Sequence, residues 1–305
     1  MEFHASWDYR VAIDLFLGGV GIGIFLLSAY FSFIKRERSL LVTRIGFFLA
    51  PILVGLGVFA LMTELGKPFR MFLTFINVNP TSVTSWGGFL QTIFIFVSFA
   101  TFVIVFRYKE KAFDMSLFKW SVIVGSAFAL AVGIYHGTLL MSIGKPGWEN
   151  GLIPIMFLVS SILSGSSLLM LIELLLTNSL IRKSQGAFKE VAAGLEPTGD
   201  IYSKLLLSLV AVQVILVLIW RISINTAGIE AILSYQNLID YYGASWWIAA
   251  IFLGLIVPLA FSAFYAIKNQ KMNLSAAMFF TVVVLVGSYA FKHIILYSGQ
   301  IPLAG

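Results

Sequence analysis

Eight apolar stretches follow one another along the chain, at roughly 11–34, 44–63, 87–106, 118–141, 152–177, 201–224, 245–267 and 273–297. Each has about the 20 residues that a hydrocarbon core of roughly 30 Å demands of a helix. Stretches 15–34 and 87–106 contain no Asp, Glu, Lys or Arg. No strand-like alternation competes with this pattern, and only helices close their own backbone hydrogen bonds in lipid. The pattern therefore predicts an all-α integral membrane protein, one domain over residues 1–305 with eight transmembrane helices. The even helix count suits two four-helix bundles.

The breaks between stretches are as informative. Around 61–90 one helix should end at Glu64-Leu65-Gly66, since Gly tolerates a left-handed cap and Pro68 cannot continue the ladder. Asn79-Pro80 forms a turn, and Ser82, Thr84 or Ser85 can cap the helix that begins near Trp86. On spacing alone, Glu64, Lys67 and Arg70 read as a polar connector with interfacial anchors. The connector 178–200, broken at Gly194 and Glu196-Pro197, reads as a solvated link. Connector 225–244 has no Lys or Arg and leads through Tyr241 and Tyr242 to Trp246 and Trp247, an aromatic belt.

Composition supports the membrane reading: of 305 residues 59% are hydrophobic and 11% charged, where soluble domains run near 25% charged. The net charge of +6 is no nucleic-acid signal, because the cations sit in loops between apolar spans. Connectors 1–2, 3–4, 5–6 and 7–8, with the adjoining helix ends, hold 14 of the 20 Lys and Arg. The positive-inside rule then places both termini and the 64–86 loop outside. Glu2, Asp8 and Arg10 precede the first span and Lys35, Arg36 and Arg38 follow it, which reads as an uncleaved anchor. Cysteine is absent, so thiolate iron–sulfur ligation, disulfides and covalent c-type haem attachment have no ligands here.

Ionisable residues within or bordering the spans gather toward the expected outer end: Asp14, Glu64, Tyr135, His136, Arg221, Lys292 and His293. Glu173 alone lies toward the inside. Such groups cost roughly 2.5–3.5 kcal/mol on insertion scales, so they commonly have a partner or a role. Each also has a structural reading. Asp14 can pair with Arg10 or Arg70, Lys292 can snorkel to the surface, and His136 and His293 can be hydrogen-bonded helix residues rather than haem ligands. Gly19 and Gly23 form a GxxxG step suited to close helix packing, with no strand before it to make a nucleotide loop.

Several segments resemble the NrfD/PsrC-type membrane subunits of polysulfide-reductase-like complexes, over nearly the whole chain. They are W-D-Y-R-V-A-I-D-L-F-L-G-G-V-G-I-G from Trp7, E-L-G-K-P-F-R from Glu64 with N-P-T-S-V-T-S-W-G ending at Gly87, Y-H-G-T-L-L-M-S-I-G-K-P-G-W-E-N from Tyr135, and Y-S-G-Q from Tyr297. The resemblance implies a membrane anchor in the prokaryotic cytoplasmic membrane that exchanges electrons with a quinone, menaquinone or ubiquinone, near the outer face. It implies as partners a ferredoxin-like iron–sulfur subunit and a molybdopterin catalytic subunit or multihaem cytochrome, with membrane lipid around the helices. It carries a polar helix-1 position and a helix-4 Tyr onto Asp14 and Tyr135, although some members have His at the first. Lys292-His293 stands where an Arg is expected, and no role transfers to it.

The residues fit that chemistry on their own terms. Quinol oxidation needs a hydrogen-bond partner at each ring oxygen, a proton acceptor and apolar walls. Tyr135 or His136 can hold an oxygen, and Asp14 or Glu64 can accept the proton. Lys67, Arg70 and Trp86 suit partner docking. The alternative is a secondary transporter or ion-translocating subunit, which predicts midplane charges and broken helices. A di-haem cytochrome b anchor wants four helix histidines, against three His in all, one of them His4 in the tail.

Overall fold

The computed structural model describes residues 7–34, 40–64, 81–183 and 199–303. Eight helices in it are long and apolar enough to cross a membrane. They are α1 (Tyr9–Ile34), α2 (Leu40–Glu64), α3 (Val83–Tyr108), α4 (Ser116–Met141), α5 (Leu152–Lys183), α6 (Gly199–Ile224), α7 (Ile229–Ile267) and α8 (Leu274–Ser298). No strand occurs among the described residues. Helix α2 is described as far as Glu64, and its expected end at Leu65-Gly66, with Pro68 and Asn79-Pro80, lies outside the described residues. Ser82 provides the cap of α3, its hydroxyl accepting from Ser85 N at 3.4 Å.

Helices α1–α4 pack on one another, as do α5–α8, and the two groups meet mainly where α1 and α4 lie along α5. Small residues make that seam. A Cβ on Gly23 would stand 2.1 Å from Ser161 O, and one on Gly165 would stand 2.5 Å from Ile24 N. Backbones this close exclude any side chain, which is what small residues achieve between helices in lipid. Aromatic packing fills the first bundle: Phe25 meets Phe47 and Phe94 at ring separations of 4.9 and 5.3 Å, and Phe118 follows against Phe47.

Connector 225–244 differs from the sequence reading. Only a short turn separates α6 from α7, which starts at Ile229 behind Gly228, a residue at φ 113° where glycine is favoured. The aromatic belt therefore rides on a helix rather than a loop. Its first half is amphipathic: Ser234 and Leu238 are buried, and Ala231, Tyr235 and Tyr242 pack against the core. From Trp246 to Ile256 the helix is π-wound. Pro258 follows and withdraws the donor that an α-helix would aim at Gly254 O. There α7 touches α8 backbone to backbone, Gly254 against Gly287.

Candidate functional site

Asp14 lies between one and two turns into α1 and is 1% exposed. Glycines surround it. A Cβ on Gly57 of α2 would approach its Oδ1 to 2.8 Å, and one on Gly18, a turn further along α1, would come within 3.0 Å of the His136 ring. These absences of side chain let three helices close around two polar groups. The bridge between them is Gln91 of α3. Its Nε2 donates toward Asp14 Oδ1 and Oδ2 at 3.4 and 3.5 Å and stands 3.4 Å from His136 Nε2. An amide NH2 has two protons, one for each neighbour. His136 Nε2 then accepts, which puts the imidazole proton on Nδ1, a buried atom with no hydrogen-bond partner among the described residues. Both bonds to the carboxylate are long, so its lone pairs keep acceptor capacity.

Tyr135 adjoins this cluster on α4, its ring 6.0 Å from that of His136. It lies over Gly87, where an added Cβ would fall 1.8 Å from Tyr135 Cζ. Gly87 and Tyr135, from two of the family-like segments, are thus in contact. Gly137 brings α4 onto the next helix instead, since a Cβ there would meet Pro154 Cα of α5 at 2.3 Å.

Glu64 sits apart. It is half-buried, seven residues beyond Gly57 and so about 10 Å further along α2. Its Oε1 accepts from Asp8 N at 3.4 Å. Arg10 pairs with Asp8 at 2.7 Å and donates to Thr63 O, which binds the start of α1 to the end of α2. That guanidinium holds the Asp8 carboxyl below the usual carboxylate range. Arg10 is thus engaged with Asp8 and not with Asp14. Trp86 is exposed in the first turn of α3. Lys67 and Arg70 lie outside the described residues.

Lys292 overturns the snorkelling expectation. It is 0% exposed, and its Nζ donates at 2.8 Å to both Leu15 O and Ser161 Oγ. Gly19 makes this reach feasible, because a Cβ there would be 2.3 Å from Nζ. The GxxxG step therefore has two tasks: Gly23 admits the α5 backbone and Gly19 admits the lysine. His293, next in sequence, stacks between Tyr289 and Tyr297. Among the described residues no group of three His, Cys, Asp or Glu could hold a metal ion.

The start of α1 and the end of α8 are tied by the first and last of the family-like segments. Gln300 accepts from Trp7 N at 2.8 Å and donates to Trp7 O at 3.1 Å. Trp7 stacks on Trp148, whose indole donates to Ile295 O. Sequence reasoning missed Gln91, Gly18, Gly57 and this tie. The one signal for Gln91 was an amide within an otherwise charge-free span.

The family model described as "Polysulphide reductase, NrfD" matches residues 1–304. The chain belongs to the NrfD family. This NrfD-family protein is 23% identical over 329 residues to the "Protein NrfD homolog" of Haemophilus influenzae, covering all of its own length and 98% of that protein. It is 24% identical over 315 residues to the C subunit of the polysulfide reductase of Wolinella succinogenes, covering 96% and 94% of the two. A shorter likeness, 24% over 156 residues, relates half of it to the integral membrane subunit of an Hdr-like menaquinol oxidoreductase from Archaeoglobus fulgidus, covering 38% of that protein. Eight apolar helices and this membership make it a multi-pass membrane subunit of the NrfD type.

Proposed function

We propose that this NrfD-family subunit is the membrane anchor and quinone-reactive element of a multisubunit respiratory oxidoreductase. It exchanges electrons at the outer face with an iron–sulfur subunit that serves a molybdopterin or multihaem enzyme. The observation that carries the reading is the buried Asp14–Gln91–His136 cluster beside Tyr135. The donor set fits a quinone ring: a carboxylate with acceptor capacity, a phenol, and an imidazole whose buried Nδ1 has no partner among the described residues. The relatives' names, a polysulfide reductase subunit and a menaquinol oxidoreductase subunit, agree with it.

A bound quinol supplies two electrons and two protons. In this reading Asp14 takes up a proton, Gln91 holds the carboxylate and keeps His136 in one tautomer, and Tyr135 hydrogen-bonds a ring oxygen. Glu64, further out, is placed to relay the proton toward water. Lys67, Arg70 and Trp86 form the docking side for the partner. The subunit holds no haem or iron–sulfur centre of its own, so metal chemistry belongs to its partners. Photoaffinity labelling of the intact complex with an azido-quinone tests this. Label is expected in peptides from the start of α1 or around Tyr135, and label confined to other helices would refute the placement.

A further inference from the structure

Away from this cluster, α6 and α7 leave an open groove of about 270 Å³ between them. Its walls are almost wholly apolar, with Leu218, Trp247, Ile251 and Ile256 among them, and Leu218, Trp247 and Ile256 are strongly exposed. Arg221, in the last turn of α6, is the one charged residue lining it among the described residues. Its guanidinium lies 4.2 Å over the Tyr235 ring and donates one hydrogen bond, to Asn225 Oδ1 at 2.9 Å. No carboxylate comes within ion-pair distance of it among the described residues. Arginine has five N–H donors in a planar fork that matches a phosphate, so most of its capacity is open.

We infer that this groove is a binding site for one anionic phospholipid, with an acyl tail between α6 and α7 and the phosphate on Arg221. Three features favour this occupant. The cation lies at a helix end, where headgroups lie, and the apolar walls continue from it toward the hydrocarbon. Tyr235 fixes the guanidinium by stacking, so little side-chain freedom is lost on binding. A quinone ring would want polar partners at two opposite oxygens, and this groove offers polarity at one end alone. The site is independent of the Asp14 cluster, which lies among α1, α3 and α4.

The purified full-length subunit, stripped of lipid in detergent, can be incubated with phosphatidylglycerol or phosphatidylcholine of the same acyl composition and read by native mass spectrometry. The wild type is expected to retain phosphatidylglycerol about fivefold better, the effect of one cation near an anionic headgroup. Arg221→Gln should remove the preference and keep the helical circular dichroism. Leu218→Trp, which fills the groove from a lipid-facing position, should lower phosphatidylglycerol retention with Arg221 intact. Equal retention of the two lipids by wild type, or a preference that survives Arg221→Gln, would overturn the proposal. So would a co-purifying quinone that is displaced by Leu218→Trp and indifferent to Arg221→Gln.

Discussion

Lys292 Nζ donates a 2.8 Å hydrogen bond to the carbonyl of Leu15, the residue after Asp14. The last helix is thereby fastened to the first at the level of the proposed site. It approaches α1 over Gly19, whereas His136 approaches over Gly18, so the two meet different faces of the helix. A lysine that reached lipid headgroups could be shortened at little cost. A buried one cannot. Lys292→Ala removes a fully buried side chain and both its hydrogen bonds, a class of change that costs about 2–5 kcal/mol in packed cores. The apparent melting temperature of the purified subunit should fall clearly. Lys292→Met, which refills the volume, should fall less. If both variants melt with the wild type, the amine is not buried.

Asp14→Asn keeps the shape of the side chain and removes the proposed proton acceptor. Quinol-dependent turnover of the assembled complex should fall by about 10²-fold, the lower end of what a positioned acid–base group contributes. Activity with an artificial donor that feeds the partner enzyme directly should be unchanged. Gln91→Leu should also lower quinol turnover, by freeing Asp14 and His136 from their shared amide. Wild-type quinol turnover in both variants would put the site elsewhere.

Tyr135 and Gly87 make a paired prediction. Tyr135→Phe removes one hydroxyl, an interaction typically worth about 0.5–1.5 kcal/mol, so quinol turnover should change several-fold. Gly87→Ala would put a methyl group where the Tyr135 ring lies, at 1.8 Å from Cζ in the unrelaxed structure. The ring must move, and with it the neighbouring His136. The glycine variant should therefore lose more turnover than the tyrosine variant. The reverse order would mean that ring position matters less than the hydroxyl.

The spans are legible in the sequence because a helix in lipid must be apolar over a fixed length, and that length can be counted. Residues 229–245 escape the count for the same reason. They carry Glu230 and Asp240 and bury only a stripe, through Ser234 and Leu238, so hydropathy alone reads them as a connector. Asp14, Tyr135 and His136 stand out as polar groups in apolar runs, and the structure gathers them. Lys292 misleads because sequence shows how far a lysine can reach and not what lies within reach. Its partners are a backbone carbonyl and a serine hydroxyl from two other helices. The glycines at 18, 57 and 87 matter through what they leave empty, and only the packed helices show who occupies that space.

Orientation is the last expectation to test, because the proposed electron exit depends on it. The charge split places the 109–114 turn inside and the α4–α5 loop outside. Glu110 and Glu149 are exposed in those two segments, and the protein has no cysteine of its own. Single substitutions Glu110→Cys and Glu149→Cys therefore give a clean background for labelling with a membrane-impermeant maleimide in intact cells whose outer barrier has been permeabilised. Label is expected on the Glu149→Cys variant, and on the Glu110→Cys variant only after the cytoplasmic membrane is opened. Asp14, Gln91 and Tyr135 lie toward the same helix ends as the α4–α5 loop, so that result would put electron transfer to a partner on the outer face. The opposite labelling pattern would turn the subunit over and move the partner enzyme to the cytoplasm.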